Sequence, residues 1–272
     1  MRKTILITGA TDGIGLETAK IFASQGHTLL IHGRNTGKLA RTRAALEEID
    51  GAGEIETYRA DLATLSEVVE LAKAVAARHN RLDVLINNAG VFKLPGSTDV
   101  GGLDVRFVVN TIAPYVLTTH LLPVMPEDGR VVNLASAAQA PVDFTALAGR
   151  RSLGDSEAYA QSKLALTMWS FHIAQKRNRI GPVVVAVNPA SFLASKMVKD
   201  AYGMAGNDLS IGADILVRAA LSEEFANASG RYYDNDKRRF ADPQPDALDA
   251  AKNEKLVSAV EDIIAGRLGA RA

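Results

Sequence analysis

The segment Thr4-Ile5-Leu6-Ile7-Thr8-Gly9-Ala10-Thr11-Asp12-Gly13-Ile14-Gly15 is the strongest indication of the architecture of this chain. Its first half is a short apolar and β-branched run, which predicts a buried strand from Thr4 to Thr8. Its second half is a glycine-rich turn, and a helix-like run follows from Leu16 to Gln25. Glycines permit positive φ and close backbone approach, and a helix N-terminus offers free N–H groups to an anion. This order predicts a phosphate site, whereas the glycines alone would indicate only tight packing.

The residues after the next predicted strand, 28–32, bear on the choice of cofactor. The glycine spacing is Gly-x-x-x-Gly-x-Gly and not the commoner Gly-x-Gly-x-x-Gly of dinucleotide sites. NAD-binding folds usually carry an acidic residue after this strand for the ribose 2′-hydroxyl, but here Gly33 and Arg34 stand there. A guanidinium suits a 2′-phosphate. The pattern therefore favours NADP(H), with NAD(H) still possible; the alternative is a surface arginine.

Strand and helix patterns alternate about six times along the chain. The further predicted strands are 55–59, 82–86, 131–134, 183–187 and 230–233, and the further predicted helices are 38–49, 66–78, 105–122, 158–173, 211–225 and 248–267. We therefore expect an α/β fold, a single doubly wound Rossmann-type domain over residues 1–272. Its sheet should be parallel, with about seven strands and helices on both faces.

Polar residues follow several of these strands at the edge where ligands bind in open α/β sheets. Asp61 follows the third strand, and either belongs to the N-cap region of the next helix or accepts a hydrogen bond from an adenine amino group. Asn87-Asn88-Ala89-Gly90 and Ser136 follow the next two strands. Asn110 interrupts an apolar helix, as a satisfied core group or a water anchor.

Tyr159 and Lys163 are four residues apart in a helical stretch and so share one face. A free phenol has a pKa of about 10. A nearby cation favours the phenolate and lowers that pKa, which would suit Tyr159 to exchange a proton with an alcohol or carbonyl. Alone, the pair equally fits a tyrosine at a helix start beside an exposed lysine.

The composition excludes several classes of function. The chain has 272 residues, 47% of them hydrophobic, and 31 basic residues balance 31 acidic ones, so bulk charge points to neither a nucleic-acid nor a membrane partner. There is no cysteine for a disulfide or thiolate site, and the five histidines lack metal-ligand spacing. The first apolar run ends at Ile7, too short for a signal peptide. We expect no run to reach the roughly 18 residues of a membrane helix, and therefore a cytoplasmic protein.

Taken in order, these motifs resemble the short-chain dehydrogenase/reductase family over most of the chain. The resemblance implies a nicotinamide-dependent oxidoreductase acting on a small molecule. Tyr159 would donate or accept the proton, Lys163 would lower its pKa, Ser136 would hold the substrate oxygen and Asn110 would anchor a water in a proton relay. The implied cofactor contacts are Gly9, Thr11, Asp12, Gly13, Ile14, Gly15, Arg34, Asp61, Leu62, Asn88, Ala89, Gly90, Tyr159, Lys163, Pro189 and Ser191.

Two features narrow the resemblance. The 23-residue step from Ser136 to Tyr159 and the sequence around Tyr159 resemble the retinol-dehydrogenase-like branch. Relatives there often carry a membrane-anchoring N-terminal segment, whereas this chain begins at the first strand, so we expect no membrane role. The family's Pro-Gly after the sixth strand is Pro189-Ala190 here, which restricts the backbone beside the nicotinamide. Whether Ser191 or Ser195 meets the carboxamide stays open.

Segments 137–157 and 191–206 should cover the substrate. The apolar residues that they carry are Val142, Phe144, Leu147, Phe192, Leu193, Met197, Val198, Tyr202 and Met204. We therefore expect a small lipophilic alcohol, aldehyde or ketone. One alternative is a non-catalytic NADP(H)-binding sensor or scaffold; another, a nucleotide-sugar epimerase or dehydratase, would need a larger C-terminal domain. Relatives suggest a homodimer or homotetramer through the helices at Val105 and Tyr159.

Overall fold

The computed structural model describes residues 1–94, 98–178, 180–191, 193 and 206–269. The strands are β1 (Thr4–Ile7), β2 (Thr28–Gly33), β3 (Ile55–Arg59), β4 (Val84–Asn87), β5 (Asp99–Val100), β6 (Leu103–Asp104), β7 (Arg130–Leu134), β8 (Val183–Asn188), β9 (Tyr232–Asp234) and β10 (Arg239–Ala241). The helices are α1 (Gly13–Ser24), α2 (Thr36–Glu47), α3 (Leu65–Arg78), α4 (Val105–Val124), α5 (Phe144–Leu147), α6 (Asp155–Lys176), α7 (Leu209–Leu221) and α8 (Ala250–Gly269).

Over these residues the central sheet has eight strands in the order β10-β9-β8-β7-β4-β1-β2-β3. Seven of them pair in parallel, and β10 adds an antiparallel edge against β9. The predicted single doubly wound domain with about seven parallel strands is confirmed. From β1 the chain first adds strands on one side of the sheet, β2 and β3, and then crosses to the other side with β4. The carboxyl ends of β1 and β4 therefore flank the cleft in which such sheets bind ligands.

Each inner strand is buried on both faces, because helices cover both sides of the sheet. On β1, Leu6 points into one apolar cluster, whereas Ile5 and Ile7 point into the other. The cluster around Leu6 is covered by α3, α4, α6 and α8. The cluster around Ile5 and Ile7 is covered by α1, α2 and α7. This arrangement explains why the strands appear in the sequence as unbroken apolar runs without alternation.

Helix α4 is less regular and more apolar than the sequence indicated. It contains a π-helical stretch, Val108–Ile112, and ends in the 3-10 turn Leu122–Val124. Among the described residues it is the one helix whose length and composition would suffice to cross a membrane, with a mean hydropathy of 1.3. The expectation that no apolar run approaches the length of a membrane helix was therefore wrong for α4. Since 72% of the apolar window is buried inside the protein, α4 has the surroundings of a core helix.

Helix α8 packs on the helical layer that contains α4. It packs against α6 and also contacts α3, the two neighbours of α4. Its Glu261 accepts a 2.7 Å hydrogen bond from the hydroxyl of Tyr115 on α4, and Leu256, Val257 and Val260 are buried in the same cluster as Trp169 of α6. The outer surfaces of α4 and α6 are thus partly covered within the chain itself.

Candidate active site

The glycine-rich turn packs tightly against the end of β4. Gly9 and Gly13 have φ values of 67° and 54°, which residues with side chains rarely adopt. A Cβ atom at Gly15 would lie 2.4 Å from Nδ2 of Asn88 and 2.5 Å from the carbonyl oxygen of Gly9. The backbone therefore requires glycine at these positions, and α1 begins within the turn. A helix N-terminus beside such a turn fits the phosphates of a dinucleotide.

Thr8 and Asn88 fasten this turn to the sheet. The hydroxyl oxygen of Thr8 accepts hydrogen bonds from the backbone N–H groups of Asn88 and Ala89, both at 3.0 Å. The side-chain amide of Asn88 donates to the carbonyls of Thr8, at 2.8 Å, and Gly9, at 3.1 Å. The segment from Asn88 to Gly90 therefore lies beside the glycine turn, where the sequence predicted cofactor contacts.

His32 is a further contact of the turn, and the spacing of the histidines gave no sign of it. The N–H of Gly9 donates to Nδ1 of His32 at 3.3 Å, and Nε2 lies 3.0 Å from the carbonyl oxygen of Ala60. A ring that accepts at Nδ1 and donates at Nε2 is neutral. Burial lowers the pKa of His32 to about 4, so the neutral ring joins the glycine turn to the end of β3.

Two cationic side chains flank the turn where β2 ends. A Cβ atom at Gly33 would lie 2.9 Å from the side chain of Thr11, so the end of β2 is in contact with the turn. Arg34 follows directly and is exposed. Lys38, in the first turn of α2, places Nζ 3.2 Å from Oδ2 of Asp12. Arg34 was predicted to contact the cofactor; Lys38 was not, although its place at the start of the next helix was a usable signal.

Asp61 lies in a turn after β3 and does not cap a helix. Its Oδ1 accepts a 3.0 Å hydrogen bond from the N–H of Ala63, and its own N–H donates to Glu67 at 2.9 Å. The N-cap residue of α3 is Thr64, and its N–H donates to the carbonyl of Asp61, so Asp61 lies in the turn that leads into the helix, as one alternative predicted, but is not itself the cap. Asp61 is half-buried and the next residue, Leu62, is buried. The contact of these two residues with adenine stays a prediction.

Helix α6 brings Tyr159 and Lys163 to the end of β7. The Nζ atom of Lys163 lies 5.7 Å from the centroid of the Tyr159 ring. Lys163 is only 4% exposed, and its Nζ donates a 2.7 Å hydrogen bond to the carbonyl of Leu134. Burial lowers the pKa of Lys163 to about 8, so the side chain is still mainly charged at neutral pH. The structure thus fixes a buried cation beside the phenol, on the shared helix face that the spacing predicted.

Phe92 packs against Tyr159 from the segment that follows β4. The two ring centroids are 4.7 Å apart, at an interplanar angle of 45°. Phe92 is buried and Tyr159 is half-buried. The phenol ring therefore has an aromatic side chain and a cation as neighbours, and it remains partly exposed. Phe92 carried no sequence signal beyond its position two residues after Gly90.

Asn110 lies in the π-helical stretch of α4, a geometry that is frequent at functional sites. Its Oδ1 accepts from the N–H of Val91 at 2.8 Å, and its Nδ2 donates to the carbonyl of Val91 at 2.9 Å and to Oγ of Ser162 at 3.0 Å. Ser162 in turn donates to the carbonyl of Tyr159 at 2.7 Å. Asn110 is thus a satisfied core group that connects the segment after β4 to α6. Its part in a proton relay stays a prediction.

Ser136 follows β7, two residues after the carbonyl that binds Lys163. Its Oγ accepts a 3.1 Å hydrogen bond from the N–H of Ala138. Its carbonyl accepts a 3.1 Å bond from the hydroxyl of Tyr232 on β9. Burial raises the pKa of Tyr232, which keeps that hydroxyl protonated as a donor. Ser136 and Tyr159 therefore both lie at the carboxyl end of β7.

The loop after β8 has an unusual backbone where the family has glycine. Ala190 has a φ of 121°, and such a value costs a residue with a side chain about 1–3 kcal/mol. Ser191 donates two hydrogen bonds to Asp236, from its N–H at 2.8 Å and its hydroxyl at 2.6 Å. Partial burial acts to raise the pKa of Asp236, but these bonds hold it below its usual value. Ser195 lies outside the described residues.

The predicted substrate-covering segments need one correction. Residues 137–157 include two helical stretches, α5 and the first turn of α6. Leu147 is fully buried in the apolar core and does not line a surface; Val142 and Phe144 are half-buried. In the second segment Leu193 is buried. The residues of that segment that lie outside the described part of the chain are Phe192, Met197, Val198, Tyr202 and Met204.

These groups fit an extended nicotinamide dinucleotide. The turn that only glycine can form lies at one end, with Arg34 and Lys38 beside it, and the pair Tyr159 and Lys163 lies at the other. In the part of the chain that the structure describes, no group of His, Asp and Glu is arranged to hold a metal ion. The residues that would hold the cofactor are the turn, the segment from Asn88, Lys163 and the loop at Ser191.

Comparison with known proteins agrees with this arrangement. The profile described as short chain dehydrogenase matches residues 3–205. The chain is 29% identical to retinol dehydrogenase 13 of Homo sapiens, with 93% of this chain and 82% of that protein covered. It is 28% identical to polyprenol dehydrogenase of Homo sapiens, with 93% and 81% covered. These relatives agree with the predicted branch.

Solved structures show the same fold. An uncharacterized protein from Mycobacterium paratuberculosis superposes with a TM-score of 0.78 at 26% identity, covering 96% of this chain and 92% of that one. A short chain dehydrogenase from Shigella flexneri complexed with NADP has a TM-score of 0.69 at 26% identity, covering 86% and 97%.

The matches decide between the classes of function that the sequence left open. The family uses NAD or NADP, and the curated relatives are named as dehydrogenases, which argues against a non-catalytic sensor or scaffold. The chain therefore belongs to the short chain dehydrogenase family, in its retinol-dehydrogenase-like branch, and is an oxidoreductase that acts on CH–OH groups of small molecules.

Proposed function

We propose that the protein is an NADP(H)-dependent oxidoreductase that interconverts a small, lipophilic alcohol and its carbonyl compound, with Tyr159 as general acid and base. The observation that carries the proposal is the buried ammonium group of Lys163, 5.7 Å from the centroid of the Tyr159 ring and bound to the carbonyl of Leu134. Ser136 follows two residues after that carbonyl. A proton donor, a cation and a hydroxyl group thus lie together at one edge of the sheet.

The cofactor, when bound, supplies or accepts hydride at the nicotinamide. In the direction of reduction, the phenol of Tyr159 donates its proton to the substrate oxygen. In the direction of oxidation, its phenolate takes the proton from the alcohol. The charge on Lys163 favours the phenolate, and its ammonium group would also bind the nicotinamide ribose of the cofactor. The hydroxyl of Ser136 holds the substrate oxygen. Asn110 anchors a water in the relay toward Lys163.

The preference for NADP(H) rests on positive charge beside the glycine turn. Arg34 is exposed at the end of β2, and Lys38 faces the same turn through Asp12. A guanidinium and an ammonium group suit a 2′-phosphate, whereas a 2′-hydroxyl is better matched by a carboxylate. The NADP in the Shigella flexneri structure supports this choice.

The lipophilic substrate class rests on the residues around the candidate site and on the names of the relatives. Phe92 is an apolar wall of Tyr159, and Val142 and Phe144 are half-buried in the segment after Ser136. Retinol and polyprenol, after which the relatives are named, are lipophilic alcohols. A location in the cytoplasm, without a membrane contact, stays a prediction.

A substrate panel tests this proposal. Alcohols, aldehydes and ketones of increasing chain length are assayed with NADP(H) and NAD(H) by nicotinamide absorbance. Turnover should be highest for neutral lipophilic compounds with NADP(H). Activity confined to charged sugars or acyl thioesters would overturn the substrate class, and a preference for NAD(H) would overturn the cofactor assignment.

A further inference from the structure

Two neighbouring residues of one turn, Asn235 and Asp236, form hydrogen bonds with the backbone on both sides of Ala190. The side-chain amide of Asn235 donates a 3.0 Å hydrogen bond to the carbonyl of Pro189, on the peptide group before Ala190. The carboxylate of Asp236 accepts a 2.8 Å bond from the N–H of Ser191, on the peptide group after it. The two dihedral angles of Ala190 are set by the orientation of these two peptide groups, so the pair Asn235 and Asp236 fixes both.

The turn that holds Ala190 is itself hydrogen-bonded to a buried residue of the core. Asn188, at the end of β8, is 2% exposed and donates to Asp234 at 3.0 Å and to Asp236 at 2.9 Å. The N–H of Asn235 donates to the carbonyl of Asn188 at 3.1 Å. Both Asn235 and Asp234 are buried. A conformation as unfavourable as that of Ala190 persists only where its surroundings over-determine it, and these bonds supply that constraint.

The loop that contains Ala190, Ser191 and Leu193 lies beside the glycine-rich turn. A Cβ atom at Gly212 would meet the side chain of Leu193 at 2.6 Å and that of Ile14 at 3.2 Å. Ile14 belongs to the glycine turn, and Leu193 follows Ser191 by two residues. The side chains of Ile14 and Leu193 thus converge on Gly212, and Ser191 is held close to the cleft in which the cofactor is proposed to bind.

We propose that Asn235 and Asp236 are positioning residues for the cofactor: they impose on Ala190 the backbone conformation that a glycine would adopt freely, and thereby hold Pro189 and Ser191 in place to bind the nicotinamide end. This inference rests on the proposed function. It explains how the chain keeps a cofactor site without the glycine of its family. It also gives a role to the two hydrogen bonds that Ser191 donates to Asp236.

A double-mutant cycle of Asp236→Asn and Ala190→Gly tests the inference. Both oxygens of Asp236 accept hydrogen bonds, but an asparagine has one acceptor oxygen and cannot accept at both positions, so the hold on Ala190 is weakened with little change of shape. Ala190 then relaxes more easily, and cofactor binding must restore the strained backbone. Asp236→Asn should weaken NADPH binding by about tenfold in the wild-type background and by less than about threefold in the Ala190→Gly background. Ala190→Gly alone should change the affinity by less than about threefold.

The affinity of the purified, folded variants is measured by NADPH fluorescence titration, repeated with NADH, and the melting temperature of each is recorded. Removing a negative charge near an anionic ligand would strengthen binding, so weaker binding cannot come from the charge itself. The exposed Asp242 provides a matched control through Asp242→Asn.

Equal losses of affinity in the two backgrounds would overturn the inference, and so would a lower melting temperature with unchanged affinity. In both cases the proposed function would stand, since the wild-type chain would still bind the cofactor. A wild-type chain that binds neither NADPH nor NADH would overturn the proposed function and this inference with it.

Discussion

Lys163 carries its charge in a place where burial opposes it. Its pKa falls to about 8 because the ammonium group is desolvated, whereas an unfolded lysine titrates near 10.5. Between these values the unfolded chain binds this proton and the folded protein does not, so the contribution of Lys163 makes the protein more stable as the pH rises from about 8 to about 10.5. Below pH 8 both states are protonated and the burial cost is present in full. The folded protein therefore carries the desolvation cost of this ammonium group at the position where a cation would favour the phenolate of Tyr159.

Replacing Lys163 by methionine should remove this pH dependence. The free energy of unfolding of the wild type, minus that of Lys163→Met, should rise by about 3 kcal/mol between pH 8 and pH 10.5. Urea unfolding at a series of pH values measures it. Lys176→Met, at an exposed position on the same helix, is the control and should give a flat difference. A flat difference for Lys163→Met too would show that its ammonium group is not buried as described.

The residual activity of Lys163→Met should shift to higher pH, since the phenolate loses its neighbouring cation.

Arg34 should discriminate between the two nicotinamide cofactors. A charge-assisted contact with the 2′-phosphate contributes about 1.5–3 kcal/mol, so Arg34→Ala should weaken NADPH binding by about ten- to a hundredfold. NADH lacks the phosphate, and its affinity should change little. Isothermal titration with both cofactors measures this difference, with the exposed Arg41 of α2 changed to alanine as a control. Equal losses for NADPH and NADH would mean that Arg34 does not recognise the phosphate.

At the scale of elements, the regular strands and helices were predictable and the irregular ones were not. The strand Ile55–Arg59 has the predicted bounds, since Ile55, Thr57 and Tyr58 are residue types that favour strands. Helix α6 begins at Asp155, ahead of the predicted start, and the carboxylates of Asp155 and Glu157 in its first turn suit a helix N-terminus. The π-helical stretch at Asn110 has no local signal, because it depends on contacts with Val91 and Ser162.

The inner face of α8 should contribute strongly to stability. Leu256 is fully buried in the cluster that contains Trp169, so Leu256→Ala should lower the free energy of unfolding by about 2–5 kcal/mol. Trp169 is the single tryptophan of the chain, and its fluorescence during urea unfolding reports the loss. Ser258→Ala, at an exposed position on the same helix, should leave stability within about 0.5 kcal/mol. A loss below about 1 kcal/mol for Leu256→Ala would show that α8 is only loosely attached.

At the scale of the whole molecule, the parallel sheet gathers residues that are far apart in the sequence. The glycine turn, Asn88, Ser136 and Ser191 each follow a different strand at the same edge, and this was predictable because parallel strands share the direction of their carboxyl ends. Contacts that reach this edge from β9 and the turn after it were not predictable. Tyr232 binds the carbonyl of Ser136 across 96 residues, and nothing near either residue marks the pair.

The packing of α8 also bears on assembly. Relatives suggested a homodimer or homotetramer through the helices at Val105 and Tyr159, yet α8 packs against α6 and binds α4 through the hydrogen bond of Tyr115 to Glu261. We therefore expect a monomer of 28.9 kDa by size-exclusion chromatography with light scattering at micromolar concentration. A stable dimer or tetramer would contradict this expectation and would place α8 within the interface.

Tyr159→Phe is the decisive variant for the proposed proton transfer by Tyr159 in an NADP(H)-dependent reaction. The variant keeps the ring that packs on Phe92 and removes only the hydroxyl group. On the best carbonyl substrate of the panel, turnover with NADPH should fall by at least about a hundredfold, as expected for the loss of a general acid. NADPH affinity, measured by fluorescence titration, should stay within about threefold of the wild type because the cofactor cleft is intact. Turnover close to that of the wild type, with NADPH still bound, would contradict the assignment.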